Sequence, residues 1–324
     1  MSQTQTRTIP TIGETFRETD IRPDALMARA RELLEQDTRR LIADKAEFVT
    51  VDCPACGGES RIHHWSKRGL DFVRCLDCRT AYGSPRPTPE RLARYYTEAT
   101  YYDYWNRYIY PQSEAARRAG IFRPRVRRLV ELVRRHGVSP GTLVEVGAGS
   151  GLFCQELNDF GLFERVLAVE PTTSSAAACR ARGVEVLETP IEKADLSHLR
   201  VDVLAAFEVL EHLFDPLAFV TACRDQLASG GLLVLTCPNG LGFDVATLGE
   251  VADTVTPEHL NYFNPQSLAL LMQRGGLELL EVFTPGKLDA EIVRKKVLAG
   301  QFDLAGQPFL QRVLFDEWER LGEP

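Results

Sequence analysis

A chain of 324 residues is long enough for about two compact domains. Its 44% hydrophobic and 26% charged residues form a globular mixture, which excludes a wholly disordered, collagen-like or disulfide-scaffold chain. With 38 Lys and Arg against 45 Asp and Glu, the net charge of -7 argues against a protein that coats long nucleic acid, and leaves room for recognition of one small anionic group. No apolar run approaches the roughly 18 residues of a membrane helix. The opening MSQTQTRTIPTIGETF lacks the apolar stretch of a secretory signal, so a cytoplasmic location without membrane contact is the expectation.

Residues 1–50 read as a polar tail followed by an amphipathic helix from Asp24 to about Lys45, apolar at Leu26, Ala30, Leu33, Leu34 and Leu41. Residues 51–82 carry Cys53-Pro-Ala-Cys56 and Cys75-Leu-Asp-Cys78. Four thiolates at paired CxxC spacing surround one Zn²⁺ tetrahedrally, and a closed four-cysteine shell is structural rather than catalytic. A redox role is the alternative, and His63 and His64 are spare ligands. Residues 83–140 hold the stiff link Gly83-Ser-Pro-Arg-Pro-Thr-Pro89, then a tyrosine-rich stretch from Tyr95 to Tyr110. That stretch reads either as an aromatic lid over an acceptor or as a helix packing the cysteine unit on the core. A basic helical segment from Arg123 to Arg135 follows, read as a solvated face or a phosphate-binding surface, and it stops at Gly137 and Pro140.

From residue 141 to 285 short apolar runs alternate with helical patterns, as in a doubly wound, Rossmann-like, mostly parallel α/β sheet. The expected strands are Leu143–Val146, Val166–Val169, Val184–Leu187, Val201–Phe207, Leu232–Thr236 and Leu277–Phe283. Residues 286–324 read as a helical extension with no convincing last strand.

Glu145-Val-Gly147-Ala-Gly149-Ser-Gly151 follows the first of these strands and opens a helix. Glycines there permit a tight turn and close approach of backbone to a ligand. The third glycine falls one residue earlier than in a dinucleotide fingerprint. Glu170, at the end of the second strand, stands where a carboxylate accepts hydrogen bonds from a ribose diol. Glu208, Glu211 and His212 lie just beyond the fourth strand. They read as a solvated acidic turn, as a site in which His212 is a general base, or, with His259, as ligands of a divalent metal (Mg²⁺, Mn²⁺ or Zn²⁺) that lowers the pKa of a hydroxyl.

Taken in order, EVGAGSG, Glu170, FEVLEH, GGLLVLTCPN and HLNYFNPQSLALLMQRGGLEL resemble the class I S-adenosylmethionine (SAM) dependent methyltransferases. The resemblance implies that Gly147, Gly149 and Gly151 line the methionine part of SAM and that Glu145 supports its ammonium group. It also implies that Glu170 holds the ribose hydroxyls and that Ile191 and Phe207 flank adenine and sulfonium. The E-x-x-E-H pattern with a later histidine is similar to that of ubiquinone-biosynthesis O-methyltransferases and small-RNA 2'-O-methyltransferases. Over residues 50 to 300, a zinc ribbon joined to such a core resembles methyltransferases of bacterial polysaccharide and deoxysugar synthesis. The implied activity is O-methylation of a small hydroxylated acceptor, a nucleotide sugar or glycan, with RNA or a quinone-type natural product as the alternatives.

Overall fold

The structure, a computed structural model, describes residues 17–286 and 288–321, so the expected polar tail up to residue 16 lies outside the described residues, as do 322–324 at the end of the helical extension. Nine strands are present among the described residues: β1 (Arg61–Lys67), β2 (Leu70–Cys75), β3 (Ala81–Gly83), β4 (Thr142–Val146), β5 (Arg165–Val169), β6 (Glu185–Leu187), β7 (Val201–Phe207), β8 (Leu227–Thr236) and β9 (Asn261–Tyr262). They form two sheets, a parallel one in the order β6-β5-β4-β7-β8 and an antiparallel one in the order β1-β2-β3-β9.

The mostly apolar composition of β4, β5 and β7 follows from burial on both faces. Val144, Val146, Leu167, Val169, Leu204 and Ala206 point to one core, closed by Phe219, Val220 and Cys223 of the helix Pro216–Gln226 and Leu271 of the helix Pro265–Arg274. Their neighbours Leu143, Val166, Ala168, Val203, Ala205 and Phe207 point to a second core, built with Leu129 and Val133 of the helix Arg123–Arg135 and Phe153 of the helix Leu152–Phe160. Side chains alternate across a strand, so each run feeds two layers at once.

The expected strand over Leu277–Phe283 is not formed. Leu277 and Leu279 still pack on the core. Glu281, however, pairs with Arg135 at 2.7 Å and with His136 at 3.0 Å, and Phe283 lies beneath the Arg128 guanidinium at 4.3 Å. Side-chain contacts with the Arg123–Arg135 helix hold this segment in place of a backbone ladder, and β8 remains the sheet edge.

The cysteine unit is not self-contained. Its strand β3 pairs with β9, which comes from far along the chain (Ala81 with Tyr262, Tyr82 with Asn261). A third core on this sheet joins Trp65, Leu70, Phe72 and Tyr262 to Leu41, Leu92, Leu248 and Val293, the last from the helix Asp289–Leu298. No described helix is long and apolar enough to cross a membrane.

Candidate active site

Three turns at the C-terminal ends of the parallel strands build the site, the position where ligands gather in open α/β sheets. After β4 the chain passes through Gly147 and Gly149 in the left-handed region, at φ +73° and +53°. A side chain on Gly147 would stand 2.6 Å from Val209 Cγ2, whereas one on Gly149 would meet nothing within 4 Å. The first glycine therefore lets two loops touch, and the second keeps a space open beside Glu170. Gly151 then leads into the helix Leu152–Phe160. Glu170 is buried, and its two carboxylate oxygens accept from the backbone N–H groups of Gly149 and Thr172, each at 2.9 Å. Burial raises its pKa against those hydrogen bonds. Glu145, also buried, accepts from Cys154 Sγ at 3.0 Å, and burial pushes its pKa up to about 8. A buried carboxyl of this kind is poised to ionise against an incoming cation. Ile191 is buried in the turn after β6. Phe207, at the end of β7, meets Phe153 edge-on at 4.6 Å and carries the Arg125 guanidinium 4.7 Å above its face.

Beyond β7, Glu208 is a non-glycine residue at φ +55°, a strained position of the kind that collects at functional sites. Its carboxylate accepts from the Thr236 hydroxyl at 2.5 Å and pairs with Arg125 at 3.4 Å. Glu211 is 1% exposed, its Oε2 has no hydrogen-bond partner, and burial followed by the nearby Glu208 charge raises its pKa well above the usual range. His212 and His259 stand edge to face with ring centroids 4.6 Å apart. One ligand atom from each of Glu211, His212 and His259 lies within 4.8 Å of the others. The structure thus brings these three together and turns Glu208 toward Arg125.

Both imidazoles are neutral. Burial holds His212 down to about 4, and it holds His259 well below the usual range. His259 Nδ1 lies 2.8 Å from the Thr254 carbonyl, and His212 Nδ1 lies 3.2 Å from the Glu258 carbonyl and 2.9 Å from the Tyr96 hydroxyl. A carbonyl only accepts, so each contact assigns the proton to Nδ1 and leaves Nε2 with a free lone pair. Neutral imidazoles oriented through Nδ1, beside an unpartnered carboxylate oxygen, are a donor set that fits a divalent cation.

The cysteines converge equally well. Cys53 Sγ is 3.4 Å from Cys78 Sγ, Cys56 Sγ is 3.5 Å from Cys75 Sγ, and all four fall within 4.8 Å. Ligands about 2.3 Å from a tetrahedral zinc are separated by about 3.8 Å, so the four sulfurs fit the ion with little movement. Their mutual contact pushes the Cys53 thiol up and holds the Cys78 thiol down, and a bound cation would take the place of the thiol protons. The helix Pro265–Arg274 is pinned to both knuckles: Asn264 at its start donates to the Cys78 carbonyl at 2.9 Å, and Arg274 at its end donates to the Ala55 carbonyl at 2.7 Å.

A buried polar chain links this cysteine unit to the carboxylate and imidazole cluster. Arg86 is fully buried and donates to the carbonyls of Gly83 and Phe214 and to Asn261 Oδ1. Asn261 in turn donates through Nδ2 to the carbonyls of Leu210 at 3.0 Å and Leu213 at 2.8 Å, clasping the turn that carries Glu211 and His212. The Glu211 carbonyl accepts from Leu260 N at 2.6 Å, which fixes His259 nearby.

The aromatic stretch borders the cluster. Tyr96 meets the His212 ring edge-on, and the Tyr95 hydroxyl donates to buried Glu258 at 2.8 Å. Most arginines of the basic helix are committed to carboxylates: Arg123 to Glu156, Arg125 to Glu208, and Arg128 and Arg135 to Glu131 and Glu281. Sequence reasoning reached Tyr96, Arg125 and Asn261 only as members of the aromatic stretch, the basic segment and the HLNYFNPQ motif, with no individual role, and passed over Glu258. One signal did exist, because the dipeptide Glu-His occurs twice, as Glu211-His212 and Glu258-His259, and the two copies face each other in space.

The profile of a family described as a methyltransferase domain matches residues 116–282, just over half of the chain. The chain is 28% identical over 160 residues to the ubiquinone biosynthesis O-methyltransferase of Cereibacter sphaeroides strain KD131, covering 44% of this chain and 64% of that protein. It is also 28% identical over 147 residues to a protein of Mycolicibacterium smegmatis named as a probable S-adenosylmethionine-dependent methyltransferase, covering 44% of this chain and 54% of the other. The chain therefore spans between half and two thirds of the length of these curated relatives. A solved amino pentose methyltransferase from Micromonospora echinaspora superposes with a TM-score of 0.35 at 23% identity, over 39% of this chain and 55% of the other. With its parallel sheet, glycine turn and strand-end carboxylate covered by that profile, the chain belongs to the methyltransferase-domain family.

Proposed function

We propose that this protein transfers a methyl group from SAM to a hydroxyl of a small acceptor, a nucleotide sugar or glycan, with assistance from a divalent cation at Glu211, His212 and His259. The observation that carries the reading is the neutral imidazole pair beside the orphaned Oε2 of Glu211. An imidazole held near 4 is a weak base at neutral pH, since general bases work best near the operating pH. The same neutral rings are good metal ligands.

Bound SAM would supply an electrophilic methyl group, and a bound cation would lower the pKa of an acceptor hydroxyl. Gly147 and Gly149 admit the cofactor's methionine end, Glu145 ionises against its ammonium, and Glu170 exchanges its hold on two backbone N–H groups for the ribose diol. Ile191 and Phe207 flank the adenine and sulfonium, and Tyr96 orients the His212 ring. In-line placement of hydroxyl and methyl within a desolvated pocket would supply most of the acceleration. A zinc ion on Cys53, Cys56, Cys75 and Cys78 serves structure alone, holding β3, Arg86 and Asn261 and through them the reacting turn.

The paired arginines of the basic helix weigh against the RNA reading. The test is turnover of methyl-labelled SAM before and after brief chelation that leaves the cysteine-bound zinc in place. Loss of turnover, restored by added Mg²⁺, Mn²⁺ or Zn²⁺, is expected, whereas full activity after chelation would leave His212 as an unaided base.

A further inference from the structure

A groove of about 620 Å³ separates the ribbon from the segment that leaves the C-terminal end of β8. On the ribbon side it is lined by His63, His64 and Trp65 of β1, Arg74 of β2 and Arg79 of the second cysteine knuckle; the helix Phe243–Leu248 forms the opposite wall. Trp65 meets Tyr262 edge-on at 5.8 Å, and Tyr262 stands 6.3 Å from His259. One aromatic ring therefore separates this groove from the imidazole pair.

Several independent features mark the groove as built for an anion. Among the described residues, neither the Arg74 nor the Arg79 guanidinium has a hydrogen bond or ion pair, unlike most arginines of the basic helix. The lining carboxylate, Glu250, lies close enough to Lys67 to favour its charge, and among the described residues it forms no ion pair with either arginine. Burial, and then the charge of Arg74, hold His64 down to about 4, which marks that guanidinium as a charge felt inside the groove. Trp65 is 7% exposed, and its indole N–H has no acceptor.

The backbone adds a separate argument. The residue after the second cysteine of each knuckle is left-handed: Gly57 at φ +78° in the first, Arg79 at φ +64° in the second. Glycine adopts that conformation freely and arginine does not. Strain retained at a position where glycine would serve the fold points to a use for the side chain.

We propose that this groove seats a phosphate-bearing part of a small acceptor, gripped by Arg74 and Arg79, while the acceptor's hydroxyl reaches the Glu211, His212 and His259 cluster. The proposal rests on the methyl-transfer reading above and narrows its substrate class. Unpaired guanidiniums suit a phosphate because their planar donors engage two oxygens at once.

The probe is inorganic pyrophosphate, titrated calorimetrically into the full zinc-loaded chain at low salt without added divalent cation. Saturable binding is expected, weakened about tenfold or more by Arg74→Gln, since a charge-assisted bidentate contact is lost. Arg79→Gly should weaken binding similarly while raising the thermal midpoint, because glycine relieves the left-handed strain. No binding to the unaltered chain, or an affinity in both variants equal to that of the unaltered chain, would overturn the proposal. SAM binding measured on the same samples separates the two readings. Intact SAM binding with pyrophosphate indifferent to both variants refutes the groove alone. Absence of SAM binding refutes the methyl-transfer reading whatever the pyrophosphate result.

Discussion

Glu145→Gln isolates the electrostatics of the glycine turn. The carboxyl is buried, and its pKa stands at about 8 against an ordinary 4.5. Because the folded-state pKa is raised, the proton's contribution to stability is fully present below about 4.5 and is lost as pH rises toward 8. At about 1.4 kcal/mol per pKa unit, the whole displacement is worth at most about 5 kcal/mol, of which about 3 kcal/mol falls between pH 6 and pH 9. Glutamine keeps the neutral shape at every pH. Denaturant unfolding of variant and unaltered protein at pH 6 and pH 9, without SAM, should therefore show the stability difference moving in the variant's favour by up to that amount. Because both proteins carry the same cysteine centre, its own pH dependence cancels. For the unaltered protein, SAM affinity should tighten between pH 6 and pH 8 as Glu145 ionises, while the variant binds weakly with a flatter pH profile. A stability difference that does not change with pH would refute the buried neutral carboxyl, and equal SAM affinity would refute its role toward the ammonium.

Glu170→Ala should abolish calorimetric SAM binding while the fold persists, and unchanged affinity would remove the ribose assignment. Elemental analysis should find one zinc per chain, lost in Cys53→Ser together with the protease resistance of residues 51–82; a metal-free chain of equal resistance would contradict the ribbon. Asn261→Leu removes the donor to the Leu213 carbonyl, the shorter of two bonds to the Leu210 carbonyl and the nearer acceptor of Arg86 Nη2, at a cost of about 1–3 kcal/mol for each group left dry and unpaired. Turnover should fall more than SAM affinity or zinc content, and full turnover would show that the clasp on the reacting turn is dispensable.

The parallel sheet was readable because Leu143–Val146 and Val201–Phe207 are buried on both faces, and burial on both faces writes itself as a mostly apolar run, broken here only by buried Glu145 and Asp202. The glycine turn and Glu170 were readable because backbone conformation and strand end demand particular residues at particular places. Leu277–Phe283 carries a similar apolar pattern, interrupted by Glu278 and Glu281, and yet forms no strand, because Glu281 and Phe283 are held by Arg128 and Arg135 of a distant helix and by His136 at its end. Periodicity reports which faces are buried, not which backbone partner is present. The pairing of β3 with β9, the Arg86–Asn261 chain and the approach of Tyr96 to His212 join residues more than a hundred positions apart, beyond the reach of any local pattern. His212 and His259 were both visible as candidates, and only the fold sets their rings 4.6 Å apart.

The most direct measurement of the central claim uses SAM with a labelled methyl group, incubated with separated host fractions of nucleotide sugars, polysaccharide, small metabolites, RNA and protein. Label entering the nucleotide-sugar or polysaccharide fraction, in a linkage stable to base as a methyl ether, is the predicted result. Label in RNA, or in no fraction at all while SAM still binds, would contradict it.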